Sequence, residues 1–152
     1  MVSQNQPEQR KMNDILRRAE DMHGHLGPLL ALGVRMSLAG VRNLETKEGN
    51  PQLHTEAELI YKVPFSCMLD GIQAVTKCTV GNKRLTWKES KEFKATFILK
   101  DNGRRIVVSA KPTLIRELRH RIEKKPSDAA LRQLAFDIAT RAEEELFNIT
   151  PK

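Results

Sequence analysis

The chain has 152 residues, 39% hydrophobic and 30% charged, which fits one soluble globular domain with one core over 1–152. No run of about eighteen apolar residues occurs, so no membrane-spanning helix is expected. The net charge of +7 is compatible with an anionic partner, nucleic acid included, but the basic residues are spread through the chain as on a solvated surface.

The first residues, Met-Val-Ser-Gln-Asn-Gln-Pro-Glu, lack the basic and apolar regions of a signal peptide. A cytoplasmic, reducing setting is expected, in which the two cysteines read as thiols or metal ligands rather than a disulfide. Residues 1–8 are polar and are expected to fray. Met12, Ile15, Leu16, Ala19 and Met22 then recur at helical spacing, and Gly24 offers a left-handed helix end. Pro28 suits the first turn of a second helix. Leu29, Leu30, Leu32, Val34, Met36, Leu38, Ala39, Val41 and Leu44 make it apolar nearly all round, so it belongs in the core or at a subunit interface.

Beyond a polar turn at 45–51, Thr55, Ala57, Leu59, Tyr61 and Val63 alternate with polar residues as in a strand, which Pro64 ends. Ser66 is a candidate cap for a short helix from about Cys67 to Thr76. A short strand is expected at Arg84–Trp87. Phe93–Leu99 and Ile106–Val108 flank Asp-Asn-Gly, a strong hairpin signal. Pro112 opens a helix with Lys111, Arg116, Arg119, Arg121, Lys124 and Lys125 on its basic side. Ser127 caps a last helix whose apolar stripe runs from Leu131 to Leu146. The order is helix, helix, strand, helix, three strands, helix, helix: an α+β fold with a mostly antiparallel sheet packed with helices.

Chemistry concentrates in two stretches. His23 and His25 sit in a Gly-flanked turn between two core helices, and neutral imidazole is the commonest metal ligand; histidines that merely cap carbonyls are the alternative. Cys67 stands at a helix start, where the dipole and free N–H groups favour a thiolate, though a buried thiol can also be a small hydrophobe. Asp70, one turn on, is placed to orient a ligand or act as a base.

Cys78 cannot pair with Cys67 if the segment between them is helical. Eleven residues at a 1.5 Å rise separate them by about 16 Å, too far for one zinc or a disulfide. Cys78 reads as a pocket or core residue. Thr79, Gly81 and Asn82 form a polar turn able to line that pocket or offer N–H groups to an anion, or simply an ordinary loop. The basic 111–125 helix reads as a solvated face. No aromatic residue interleaves with it, so it lacks a stacking platform for single-stranded nucleic acid.

With these residues in view, the chain resembles the FmdE family, named for a component of formylmethanofuran dehydrogenase. The likeness rests on His23-Gly-His-Leu-x-Pro-x-Leu-Ala-Leu-Gly-x-Arg35 and on Cys67-x-Leu-Asp-Gly-Ile-Gln-x-Val-Thr-x-Cys78-Thr-x-Gly-Asn82. It implies an α+β domain, a homodimer, and a divalent transition metal such as zinc near the two motifs. His25 and Cys67 are the first ligands, His23 the next, and Cys78 lines the neighbourhood. Two departures stand out: Gly27 replaces a cysteine usual in the family, and the chain is expected to do without the C-terminal zinc ribbon of many members.

Three functions follow as expectations. The first is a metal-binding protein, an enzyme of unassigned reaction acting on a small ligand or an accessory to a molybdenum or tungsten oxidoreductase. Thiolate softness favours Zn²⁺, and Asp70 is a possible base. The second is a non-catalytic adaptor docking through the 111–125 helix, and the third is nucleic-acid binding by that helix. For a shared zinc, the Cys67 sulfur and a His25 nitrogen should lie within about 4.5 Å of each other, and a metal-free site can relax somewhat beyond that.

Overall fold

A computed structural model of the protein describes residues 2–151, with side chains from Gln6 onward. The elements are α1 (Val2–His23), α2 (Pro28–Asn43), β1 (Leu53–Leu59), α3 (Cys67–Thr76), β2 (Leu85–Glu89), β3 (Lys94–Leu99), β4 (Arg105–Ala110), α4 (Pro112–Glu123), α5 (Asp128–Thr140), α6 (Glu143–Leu146) and β5 (Phe147–Pro151). The α+β expectation holds. Five strands form one sheet in the order β2-β1-β3-β4-β5. Every pairing is antiparallel except β1 with β2.

Helix α2 is the axis of the molecule. It is buried on nearly every side, as its all-round apolar sequence requires. Toward the sheet, Gly40 lies so close to the Phe97 ring of β3 that an added Cβ would come within 2.4 Å of it. Toward α3, the contact is backbone on backbone. A Cβ on Gly33 would sit 2.1 Å from the Met68 carbonyl oxygen, and one on Gly71 would sit 2.2 Å from the Leu30 carbonyl oxygen. These two glycines set the spacing of the helix whose first residue is Cys67.

Toward α5, Arg35 reaches across with its Nη1, which donates to the carbonyls of Ile138 (2.9 Å), Ala139 (3.0 Å) and Arg141 (2.7 Å). A cation there satisfies the orphan carbonyls of a helix end and complements its dipole. Arg35→Met keeps the stem but removes those donors. It should destabilise the protein by roughly 2–3 kcal/mol, the range for charge-assisted hydrogen bonds, as read by denaturant unfolding. An unchanged midpoint would contradict the role.

Four expectations need correction. Residues 2–8 do not fray but continue α1; Met1 lies outside the described residues. The first strand stops at Leu59, not Val63, because the Tyr61 N–H turns to the Glu89 carboxylate (2.6 Å) instead of the ladder. Ser66 is at the cap position of α3 with helical backbone angles and makes no side-chain cap bond. The last helix does not reach Leu146. Arg141 leaves the helix at φ −67°, ψ 146°, and Phe147–Pro151 pairs antiparallel with β4. The β4 edge and the Arg35 clamp together outweigh the helical stripe that continues through Ala142 and Leu146. Ser127 does cap α5, its hydroxyl accepting from the Ala130 N–H at 3.1 Å.

Candidate metal centre

The α1–α2 connection and the start of α3 meet. His23 is the last residue of α1, and Gly24, at φ +106°, turns the chain so that His25 follows beside it. The two imidazoles lie edge to face with centroids 4.8 Å apart. Cys67, 7% exposed, faces them from α3. One ligand atom from each of His23, His25 and Cys67 lies within 4.8 Å of the other two, an arrangement that could hold a metal ion.

Asp70 completes the arrangement. One turn beyond Cys67, its Oδ2 accepts a 2.6 Å hydrogen bond from His23 Nδ1. In a neutral ring that gives its Nδ1 proton to this hydrogen bond, Nε2 carries the lone pair. That Nε2 is buried and has no hydrogen-bond partner. A carboxylate on one imidazole nitrogen with the other nitrogen free is the arrangement that orients a metal-ligating histidine. Buried polar atoms are almost always satisfied, so an orphan at this spot fits a missing ligand.

The Cys67 thiol corrects one expectation. Its pKa is raised, first by burial, then by the nearby Asp70 carboxylate, while its own backbone N–H acts in the opposite direction. The helix start offsets this only in part, because its first N–H groups also bond preceding carbonyls. Cys67 donates to the Pro64 carbonyl at 3.1 Å, Met68 to Phe65 at 3.2 Å and Leu69 to Ser66 at 3.0 Å. Burial and Asp70 thus favour the neutral thiol, and a cation bound beside the sulfur would favour the thiolate.

Gly27 has an extended backbone, φ −137°, ψ 174°. A Cβ there would rest 3.4 Å from the His25 ring, an ordinary contact. Position 27 therefore lies beside the His25 ring, and glycine offers no side-chain donor there.

The other candidates lie elsewhere. Cys78 is fully buried beyond the far end of α3, its Sγ donating to the Leu53 carbonyl at 3.1 Å and accepting from the Thr55 hydroxyl at 3.5 Å. Both cysteines are free. Thr79 and Asn82 close a turn on themselves: Thr79 N–H donates to Asn82 Oδ1 (2.9 Å) and Asn82 N–H to Thr79 Oγ1 (3.1 Å). Those N–H groups are not offered to an anion. Gly81 lies in the same surface turn, and none of these four residues belongs to the His23–His25–Cys67 group. Sequence reasoning missed the roles of Gly33, Gly71 and Arg35. The only signal was their place inside the two motifs. No helix of the described residues is long and apolar enough to cross a membrane.

Comparison with known proteins agrees with the two-motif likeness. The family model described as FmdE, molybdenum formylmethanofuran dehydrogenase operon, matches residues 22–148. A probable S-adenosyl-L-methionine-binding protein of Archaeoglobus fulgidus is 34% identical over 104 residues, covering 67% of this chain; the chain spans 28% of that relative's length. The crystal structure of a tungsten formylmethanofuran dehydrogenase FmdE-like protein from Syntrophus aciditrophicus superposes with a TM-score of 0.64 at 20% identity. That match covers 93% of this chain and 71% of the other, and it is a likeness of fold. Matched over 22–148, with the histidine and cysteine motifs both inside the match, the chain belongs to the FmdE family.

Proposed function

We propose that the chain is a metal-binding protein in which His23 Nε2, a His25 nitrogen and the Cys67 sulfur hold a divalent transition metal, zinc by the softness of its donors. The observation that carries this is the buried, partnerless His23 Nε2, fixed by Asp70 and set beside a second imidazole and a thiol. Three protein donors match the pattern of a site that keeps a position open for a small ligand.

A zinc ion there would supply Lewis acidity. The chain's own residues would do the rest. Asp70 holds the His23 proton at Nδ1 and keeps Nε2 available. Asp70 is 40% exposed, so a base role toward a bound ligand would compete with its hold on His23. We take orientation as its task.

The family's tie to a formylmethanofuran dehydrogenase operon supports a role beside a molybdenum or tungsten oxidoreductase, as accessory or partner. The same reading takes the protein to act as a homodimer in the cytoplasm, and light scattering in solution tests the dimer.

Cobalt(II) titration tests the donor set. The wild type should develop a sulfur-to-cobalt charge-transfer band together with intense visible absorption of a four-coordinate site. Cys67→Ala should lose the charge-transfer band, and His25→Ala should bind cobalt more weakly. Spectra identical in all three proteins would overturn the assignment.

A further inference from the structure

The basic side of α4 is not one continuous face. Arg121 engages Glu117 at 4.0 Å and lines one shallow cleft with His120 and Lys124. On the opposite side, Pro112, Ile115, Arg116 and Arg119 follow one another at i, i+3, i+4 and i+7, and so share one helical face. That face closes a second cleft of about 450 Å³. The opposing wall is the β2–β3 connection, with Lys91 and Phe93, and the ends of β4 and β5, with Ser109 and Asn148.

The chemistry of this cleft is two-sided. Its apolar part is Phe93, 2% exposed, with Ala110, Pro112 and Ile115. Its charged part is Lys91, Arg116 and Arg119. Among the described residues none of these three cations is in an ion pair, and Glu92, the acid of the cleft, pairs instead with Lys94 at 3.1 Å. The Arg119 guanidinium is steadied over the Phe65 ring, 5.4 Å from its centroid. Ser109 and Asn148 are opposed across the β4–β5 pairing and add hydroxyl and amide groups at the strand ends. A volume in the range of small-molecule sites, an apolar floor and convergent unpaired cations fit one ligand class.

We propose that this cleft binds a small organic anion, a carboxylate or phosphate monoester carried on an apolar body. Arg116 and Arg119 would take the anionic group, as guanidinium forks suit its geometry. Pro112 and Ile115 would cover the body. The site is independent of the metal centre, and its residues share none of the metal's donors.

Isothermal titration with phenyl phosphate and phenylacetate, against inorganic phosphate and benzyl alcohol, tests this at physiological salt. At least one of the two organic anions should bind saturably and at least tenfold tighter than either control. Arg116→Gln with Arg119→Gln should weaken that binding at least tenfold and leave metal content unchanged. Arg105→Gln, a cation at the far end of β4, should leave it unchanged. Four results would overturn the proposal: no saturable binding of either organic anion, inorganic phosphate binding as tightly as the organic anions, loss of binding in Arg105→Gln equal to that in the double variant, or displacement of the bound probe by a single-stranded oligonucleotide at lower concentration than by phenyl phosphate itself. The last would make the cleft part of a nucleic-acid face.

Discussion

Gly71→Ala is expected to destabilise the protein by about 3 kcal/mol, the upper end of overpacking costs, and to abolish metal binding with it. Taken alone, alanine should help a helix by about 1 kcal/mol over glycine. The crossing with α2 decides the opposite sign. The new methyl would sit 2.2 Å from the Leu30 carbonyl oxygen and 2.8 Å from the Val34 nitrogen, both backbone atoms of a buried helix. No side chain can swing away, so α3 must shift as a body, and Cys67 and Asp70 move with it. Gly81→Ala is the control. Its nearest neighbour would be the Thr79 hydroxyl at 3.8 Å, in an exposed turn, and its effect should stay within about 0.5 kcal/mol. Thermal or denaturant unfolding of the two variants checks this. A Gly71→Ala protein as stable as wild type would mean that α2 and α3 are not in backbone contact.

Asp70→Asn is expected to weaken metal binding by about tenfold to a hundredfold, the usual cost of losing an outer carboxylate on a ligating histidine. The fold should survive, because Asp70 is part-exposed and makes this one side-chain contact. The carboxylate does two things for His23. It selects the tautomer with the proton on Nδ1, and it raises the basicity of Nε2. Asparagine can mimic the shape but carries no charge and can equally present its amide N–H₂ to the ring, which would favour the wrong tautomer. Competition with a chromogenic chelator measures the loss. Asp14→Asn, an exposed acid paired with Arg17 at 3.5 Å, should bind metal like wild type. Equal affinities for wild type and Asp70→Asn would remove the orienting role.

Much of this is legible in the residues. The start of α2 at Pro28, the full span of α3, the Asn102-Gly103 hairpin and the Ser127 cap all follow from local chemistry, which acts over a few residues and needs no tertiary information. The separation of Cys67 from Cys78 follows from helical rise alone, and the structure puts a helix between them. The failures share a cause. Apolar spacing by itself would carry α5 through to Leu146. The chain departs instead to satisfy β4 and Arg35, partners more than thirty residues away in sequence. The apolar-polar alternation of Phe147-Asn-Ile-Thr is a strand signal that the preceding run of glutamates masks.

The Cys67 thiol departs from expectation for a similar reason. A helix start favours a thiolate only if its N–H groups are free, and the turn at Pro64–Ser66 has already used them. The pairing of His23 with Asp70 spans 47 positions. Sequence can place Asp70 on the Cys67 side of α3 but cannot say which group it meets.

Elemental analysis of protein prepared without added metal tests the central assignment most directly. Wild type should carry about one zinc per chain, with the amount falling sharply in Cys67→Ala and His25→Ala while both variants keep the wild-type far-ultraviolet circular dichroism. Equal and negligible metal in all three, or equal and full metal in all three, would contradict a centre built from His23, His25 and Cys67.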